Sequence, residues 1–365
     1  MSKKIIRRLP TLHYDHILRE GGGYVQNALA YVKKGYENPD VQDVLRENGM
    51  GFCPYLFLLH EWDAPPSAAL VVEAMFWYER FGQQNYVLDK PMQEMLKHTS
   101  LSGVDKDSIN LPYPSFYVVT ENSDVKIWGG PETGFHPMGG FWVTRHQNGV
   151  IYLWMWGKPN SKSKFAGDDG CCWMQFDLNE IYAEHADIEA YIEQQVLHGK
   201  GTNDDETFAP DDATRRESVA YYLEAARLAF NLIMYLQTKN LDSETETPES
   251  RKRNFDKQFG NKNQNKGAAR LARRDLDKAG KATVTYLRTS PGFQDKLAQS
   301  RSESPLRRRW VPGHFQRYWY GSGENKERQW KHKEPYLQNV TASEEVPRRY
   351  YVTPEGAPEP PGDQP

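Results

Sequence analysis

Two apolar runs flank "QNG" at residues 147–149, inside "GGFWVTRHQNGVIYLWMWG", and nothing else in this chain constrains its fold as tightly. An Asn-Gly step between runs rich in β-branched and aromatic residues predicts a β-hairpin, because the turns that match strand twist need residues tolerant of positive φ. The segments "INLPYPSFYVVTE", "VKIWGG" and "GCCWMQFDL" share that composition and are broken by Gly, Pro and Asn. They extend the hairpin into an antiparallel meander of four or five strands over about residues 109–180.

Helical periodicity lies on both sides of the meander. "YVQNALAYVKKGY" and "SAALVVEAMFWYERFG" space their apolar residues by three and four, and "KPMQEMLKH" places a proline in what reads as a first helical turn. After the meander come a helix near 188–197 and a longer one over about 215–239. In the longer one Val219, Tyr222, Leu223, Ala226, Phe230, Ile233 and Met234 form one apolar face, and Thr214 with Glu217 makes a capping box. The expected class is α+β: a helical N-terminal part, an antiparallel meander with packed helices, and a basic C-terminal β-hairpin region. Residues 1–240 read as one mixed domain, with helices to about 100, sheet over 109–180 and helices over 186–239. Residues 241–266 lose their apolar content and read as a linker, 267–340 as a basic aromatic hairpin domain, and the Pro- and Glu-rich 341–365 as a disordered tail.

Charge divides the chain more sharply than its net of -3 suggests. Arg251 to Lys333 holds 22 Lys and Arg against 7 Asp and Glu, whereas Met1 to Ser250 holds 22 against 36. The basic third is suited to polyanions and the acidic part repels them. No apolar run approaches the ~20 residues a bilayer needs, which predicts a cytoplasmic protein with neither membrane span nor export signal. The three cysteines, Cys53, Cys171 and Cys172, form no C-x-x-C pair; the adjacent two read as strand residues pointing to opposite faces. P-loop, G-x-G-x-x-G, G-x-S-x-G and H-E-x-x-H signatures are missing, and "GGPETGFHPMGG" lacks the lysine and helix start of a phosphate cradle. No cofactor and no metal are expected.

The basic third culminates in "WVPGHFQRYWYGSGENKERQWKHK", Trp310 to Lys333, with six aromatic rings and two histidines among its cations. As a strand from Arg307 to Tyr320, it places Arg307, Arg309, Val311, Gly313, Phe315, Arg317 and Trp319 on one face. Arg308, Trp310, His314, Tyr318 and Tyr320 take the other, and "GSGEN" forms the turn. Cations for phosphates beside flat rings for bases are how single-stranded nucleic acid is held, so Arg307, Arg308, Arg309, Trp310, Phe315, Arg317, Tyr318, Trp319, Trp330 and Lys331 are candidate RNA contacts. The alternative is that one face packs on the body and the arginines are merely solvated. His314 and His332 add a sharper possibility: two imidazoles could deprotonate a 2′-OH and protonate the leaving oxygen in metal-independent RNA cleavage.

"RRRWVPGHFQRYWYGSGENKERQWKHKEPYLQN" resembles the C-terminal signature of the anti-CRISPR family that blocks biogenesis of the type V-A effector nuclease. The matching positions are Arg307 to Arg309, Gly313-His314-Phe315, Tyr318-Trp319, Gly321 and Gly323, Trp330, Pro335 and Asn339, with weaker likeness in "SINLPYPSFYV" and "GGFWV". Pro312 stands where the family usually has a basic residue. The resemblance implies a phage- or plasmid-encoded protein in a bacterial host cell that recognises the nascent N-terminal segment of its target and promotes loss of that target's mRNA. A peptide would then be taken by rings of the meander, with Trp128, Phe141, Trp142, Tyr152, Trp154 and Trp156 as candidates. Two alternatives stand beside this reading: an RNA-cleaving enzyme using His314 and His332, and a protein-only inhibitor whose hairpin is scaffold.

Overall fold

The computed structural model describes residues 22–48, 50–62, 64, 66–130, 133–146, 149–158, 171–198, 211–238, 241–259, a few positions in 267–276, 282–300, 307–320 and 326–340. The expected tail, the "GSGEN" turn, residues 260–266 of the expected linker and most of residues 267–281 lie outside these residues.

Four helices come first: α1 (Gly22–Glu37), α2 (Pro39–Glu47), α3 (Pro54–Trp62) and α4 (Pro66–Arg80). Three of them open on proline, whose missing N–H costs nothing in a first turn. Then follow β1 (Gln84–Leu88), α5 (Lys90–Lys97), β2 (Thr99–Ser100), β3 (Ser115–Thr120), β4 (Lys126–Trp128), β5 (Phe135–Arg145), β6 (Ile151–Gly157) and β7 (Cys171–Phe176). Next are α6 (Leu178–Glu184), α7 (Ile188–His198), α8 (Asp212–Leu236), β8 (Ser243–Glu246), α9 (Pro248–Phe259), β9 (Thr283–Leu287) and α10 (Pro291–Ser300). The chain closes on β10 (Arg307–Val311), β11 (Gly313–Tyr320), β12 (Glu327–Lys333) and β13 (Tyr336–Val340). The class is α+β.

The hairpin predicted at "QNG" is β5–β6, closed by Arg145 opposite Ile151. Gly149 takes φ +90°, where a side chain would be strained, and its N–H donates to the His146 carbonyl at 2.9 Å. The main sheet runs β7-β6-β5-β3-β1-β9-β8, with β4 pairing β5 off this path. It is mixed rather than antiparallel throughout, since β1 runs parallel to both β3 and β9. The second half of "GGPETGFHPMGG", from Phe135 onward, belongs to β5.

Alternation along the strands sends residues to two cores. Phe116, Val118, Phe141, Val143, Leu153 and Met155 meet α5, α8 and Phe315 on one side. Tyr117, Val119, Trp142, Trp154 and Trp156 meet α1, α3 and α4 on the other. The sheet is therefore the middle of three layers, with both faces removed from water.

The boundary expected at 241–266 falls inside this architecture. β8 pairs antiparallel with β9, and β9 pairs with β1, so residues 283–287 lie within the sheet begun at residue 84. Buried Arg251 on α9 fastens the junction, donating to the carbonyls of Glu246 and Ala282. Asn85 on β1 does the same from the other side, accepting from Tyr78 Oη at 2.9 Å and donating to the Thr283 carbonyl at 3.1 Å. Composition hid these elements because β8 is an edge strand reading "SETE", with one neighbour and little to bury.

Candidate nucleic-acid interface

The strand expected over Arg307 to Tyr320 is two strands that part at Pro312. β10 pairs antiparallel with β13, whereas β11 pairs antiparallel with β12 and parallel with β2. Proline has no donor for a continuing ladder, and the chain changes partner there. Gly313 follows because a Cβ at that position would stand 2.6 Å from the Lys333 carbonyl oxygen and 2.8 Å from Pro335 Cδ. Its N–H donates to the His98 carbonyl at 2.8 Å, fastening the strand to the end of α5. The glycine and proline of the signature are thus packing partners.

Cross-strand register separates the two histidines. Phe315 faces His332 and His314 faces Lys333, and neighbouring pairs of a ladder point to opposite sides of the sheet. His332 is 6% exposed, between Phe315 at 5.1 Å and the edge of Tyr235 at 5.4 Å. Its Nε2 lies 3.0 Å from Thr99 Oγ1, whose own hydroxyl donates to the Met95 carbonyl, so Nε2–H is the donor of this pair. Burial lowers its pKa to about 4. His314 is exposed on the other face. With His332 buried and His314 exposed on the opposite face, the two rings of the expected acid–base pair do not line one open surface.

Several candidate RNA contacts are structural. Trp310 stacks on His98 at 4.8 Å and packs on Phe293 at 5.5 Å. Phe315 belongs to the core. Arg317 pairs with Asp105 at 3.2 Å, donates to Ser108 Oγ and covers half-buried Trp330 at 4.7 Å. Arg307, Arg308 and Arg309 lie on β10, opposite Val340, Asn339 and Gln338; their side chains fall outside the described residues.

The distal half of the hairpin remains open to solvent. Tyr318 lies on the face of His314, bordered by the ammonium groups of Lys331 at 5.8 Å and Lys333 at 5.4 Å. Trp319, on the opposite face, is 62% exposed under the Arg328 guanidinium at 4.9 Å. Each face thus offers a ring with cations at its margin, the chemistry that a flat base joined to a phosphate requires. Arg328 and Lys333 were missed in the sequence reading; register opposite Trp319 and His314 identifies them.

The rings proposed for a peptide are placed differently from expectation. Phe141, Trp142, Trp154 and Trp156 are buried in the two cores, while Trp128 and Tyr152 are half-buried against Phe135 and Trp173. Strand aromatics here fill the interior. Exposed rings occur instead on α1, where Tyr24 and Tyr31 each pack at 5.5 Å on half-buried Trp62 of α3. Among the described residues, no helix is long and apolar enough to cross a membrane.

Comparison with known proteins decides the family. The AcrVA2-like model, that of the anti-CRISPR type V subtype A2 family, matches residues 86–340. The chain belongs to that family. The match takes in the sheet from β1 onward, α8 and all of β10 to β13. Among solved structures, the chain is similar to the crystal structure of AcrVA2, with 15% identity and a TM-score of 0.43, over 89% of this chain and 98% of that one. No curated protein matches.

Proposed function

We propose that this AcrVA2-like protein acts as an anti-CRISPR regulator that lowers synthesis of its target, holding the target's mRNA on the distal hairpin while the emerging polypeptide engages another surface. The observation that carries the RNA step is the open pairing of rings and cations: Tyr318 with Lys331 and Lys333, and Trp319 with Arg328. Base stacking on such platforms contributes ~1–3 kcal/mol per base, and the ammonium groups release counterions from phosphates. The surface of exposed Tyr24 and Tyr31 over half-buried Trp62 supports the peptide step, being aromatic within the acidic part of the chain. It lies N-terminal to the family match, so partner choice can vary there without disturbing the shared sheet and hairpin.

The test uses the full chain with a labelled single-stranded RNA across a salt series. Binding should weaken steeply with salt, and Lys331→Glu with Lys333→Glu should flatten the log–log slope by ~1–1.5, at about 0.7 per lost phosphate contact. Tyr318→Ala should weaken binding with the slope unchanged. Salt-insensitive or absent binding by the parent chain overturns the RNA step.

A further inference from the structure

Cys53, Glu73 and His146 converge from three separate elements. Cys53 immediately precedes α3, Glu73 lies in the middle of α4, and His146 follows β5 at the turn into β6. One donor atom from each lies within 4.8 Å of the others. Cys53 is 6% exposed, Glu73 1%, and the His146 side chain 11%. His146 Nδ1 is 2.7 Å from Glu73 Oε2, and the other carboxylate oxygen, Oε1, is buried with no hydrogen-bond partner among the described residues. Tyr55 meets the imidazole edge-on at 5.2 Å and Tyr152 at 6.2 Å, walling the cluster with rings.

A buried carboxylate with one oxygen unanswered is costly, and buried charges are ordinarily paired or bound to metal. The donor set identifies the counter-charge. A thiolate and a carboxylate together carry two negative charges, and a neutral imidazole carries none, so a divalent cation makes the buried site neutral. Sulfur and imidazole donors disfavour calcium and magnesium, which prefer oxygen, and suit zinc. Tetrahedral zinc with bonds of ~2.0–2.3 Å needs donors ~3.5 Å apart, so side-chain adjustments of about 1 Å close the cluster.

We propose that Cys53, Glu73 and His146 bind one zinc ion, tying the N-terminal helices to the β5–β6 turn. Binding replaces the Cys53 thiol proton with a sulfur–zinc bond and releases that proton to solvent; the fourth position is left for water or another small donor. Sequence spacing conceals such a site, because the ligands lie 20 and 73 residues apart, outside any paired-cysteine motif.

The test begins with the full chain purified without chelator, reconstituted with zinc and desalted. Elemental analysis should find about one zinc per chain, and chelation should lower the thermal midpoint. Cobalt substituted for zinc should give tetrahedral visible bands and a thiolate-to-cobalt charge-transfer band in the near ultraviolet. Cys53→Ser should abolish that band, and Glu73→Gln or His146→Gln should reduce retained metal at least tenfold. Absence of stoichiometric metal in the reconstituted parent chain, or a cobalt spectrum lacking the thiolate band, overturns the proposal even if every variant fails to fold.

Discussion

His332 illustrates how a residue's meaning turns on the face it occupies. Its imidazole is held neutral by burial, with a pKa of about 4 against an ordinary 6.5. Above pH 6.5 the ring is neutral both folded and unfolded and pH has no leverage through it. Between pH 6.5 and 4 the unfolded chain takes up a proton that the folded chain refuses, so stability falls with acidification by up to about 3 kcal/mol. His332→Gln should remove that component. Urea midpoints at pH 8 and pH 5 should fall further for the parent chain than for the variant, and an equal fall in both would exclude the buried histidine as the cause. The sequence shows both histidines among cations, but not which one β2 and Tyr235 cover, because that depends on pairing across more than 200 residues. The signature's glycine can be read only in the same light, through the Lys333 carbonyl and Pro335 against it.

At the scale of elements, legibility follows how local the physics is. The β5–β6 hairpin can be read from its turn chemistry, and α8 from its apolar face. Its start was misplaced: Asp211 is the cap, accepting from the Thr214 N–H at 2.7 Å, and Thr214 already lies in the first turn. Asp and Thr are both good caps, so periodicity alone does not choose between them. β1 was read with the helical N-terminal part, and β8 was read as linker, because strand pairing brings these short segments together over long sequence separations. The β10–β11 junction is the element most exposed to a small change. Gly313→Ala would force a methyl group against backbone atoms of β12 and Pro335, and overpacking of this kind costs roughly 1–3 kcal/mol. The predicted loss can be measured by urea denaturation, while Pro312→Ala, at an exposed position between the strands, should change the midpoint far less. Equal midpoints for Gly313→Ala and the parent chain would contradict this packing.

For the whole molecule, the charge division that suggested two domains does not coincide with a division of the fold. β9 lies between β1 and β8, while the hairpin reaches the body through β2, the Gly313 N–H to the His98 carbonyl, and the Trp310–His98 stack. Charge is a surface property and follows partners, whereas the sheet follows strand pairing, so a basic segment can complete an acidic one's core. A fragment of residues 267–340 would lose β1 and β8 from the two sides of β9 and β2 from the edge of β11, leaving three strand edges unpaired and Phe315 in water. It should therefore lack fixed tertiary structure, with weak near-ultraviolet circular dichroism and rapid amide exchange. In the full chain, tryptophan fluorescence and far-ultraviolet dichroism should report the same unfolding midpoint, because hairpin and sheet share one core. A fragment with protected amides, or a full chain whose hairpin melts in a separate transition, would restore the boundary that composition suggests.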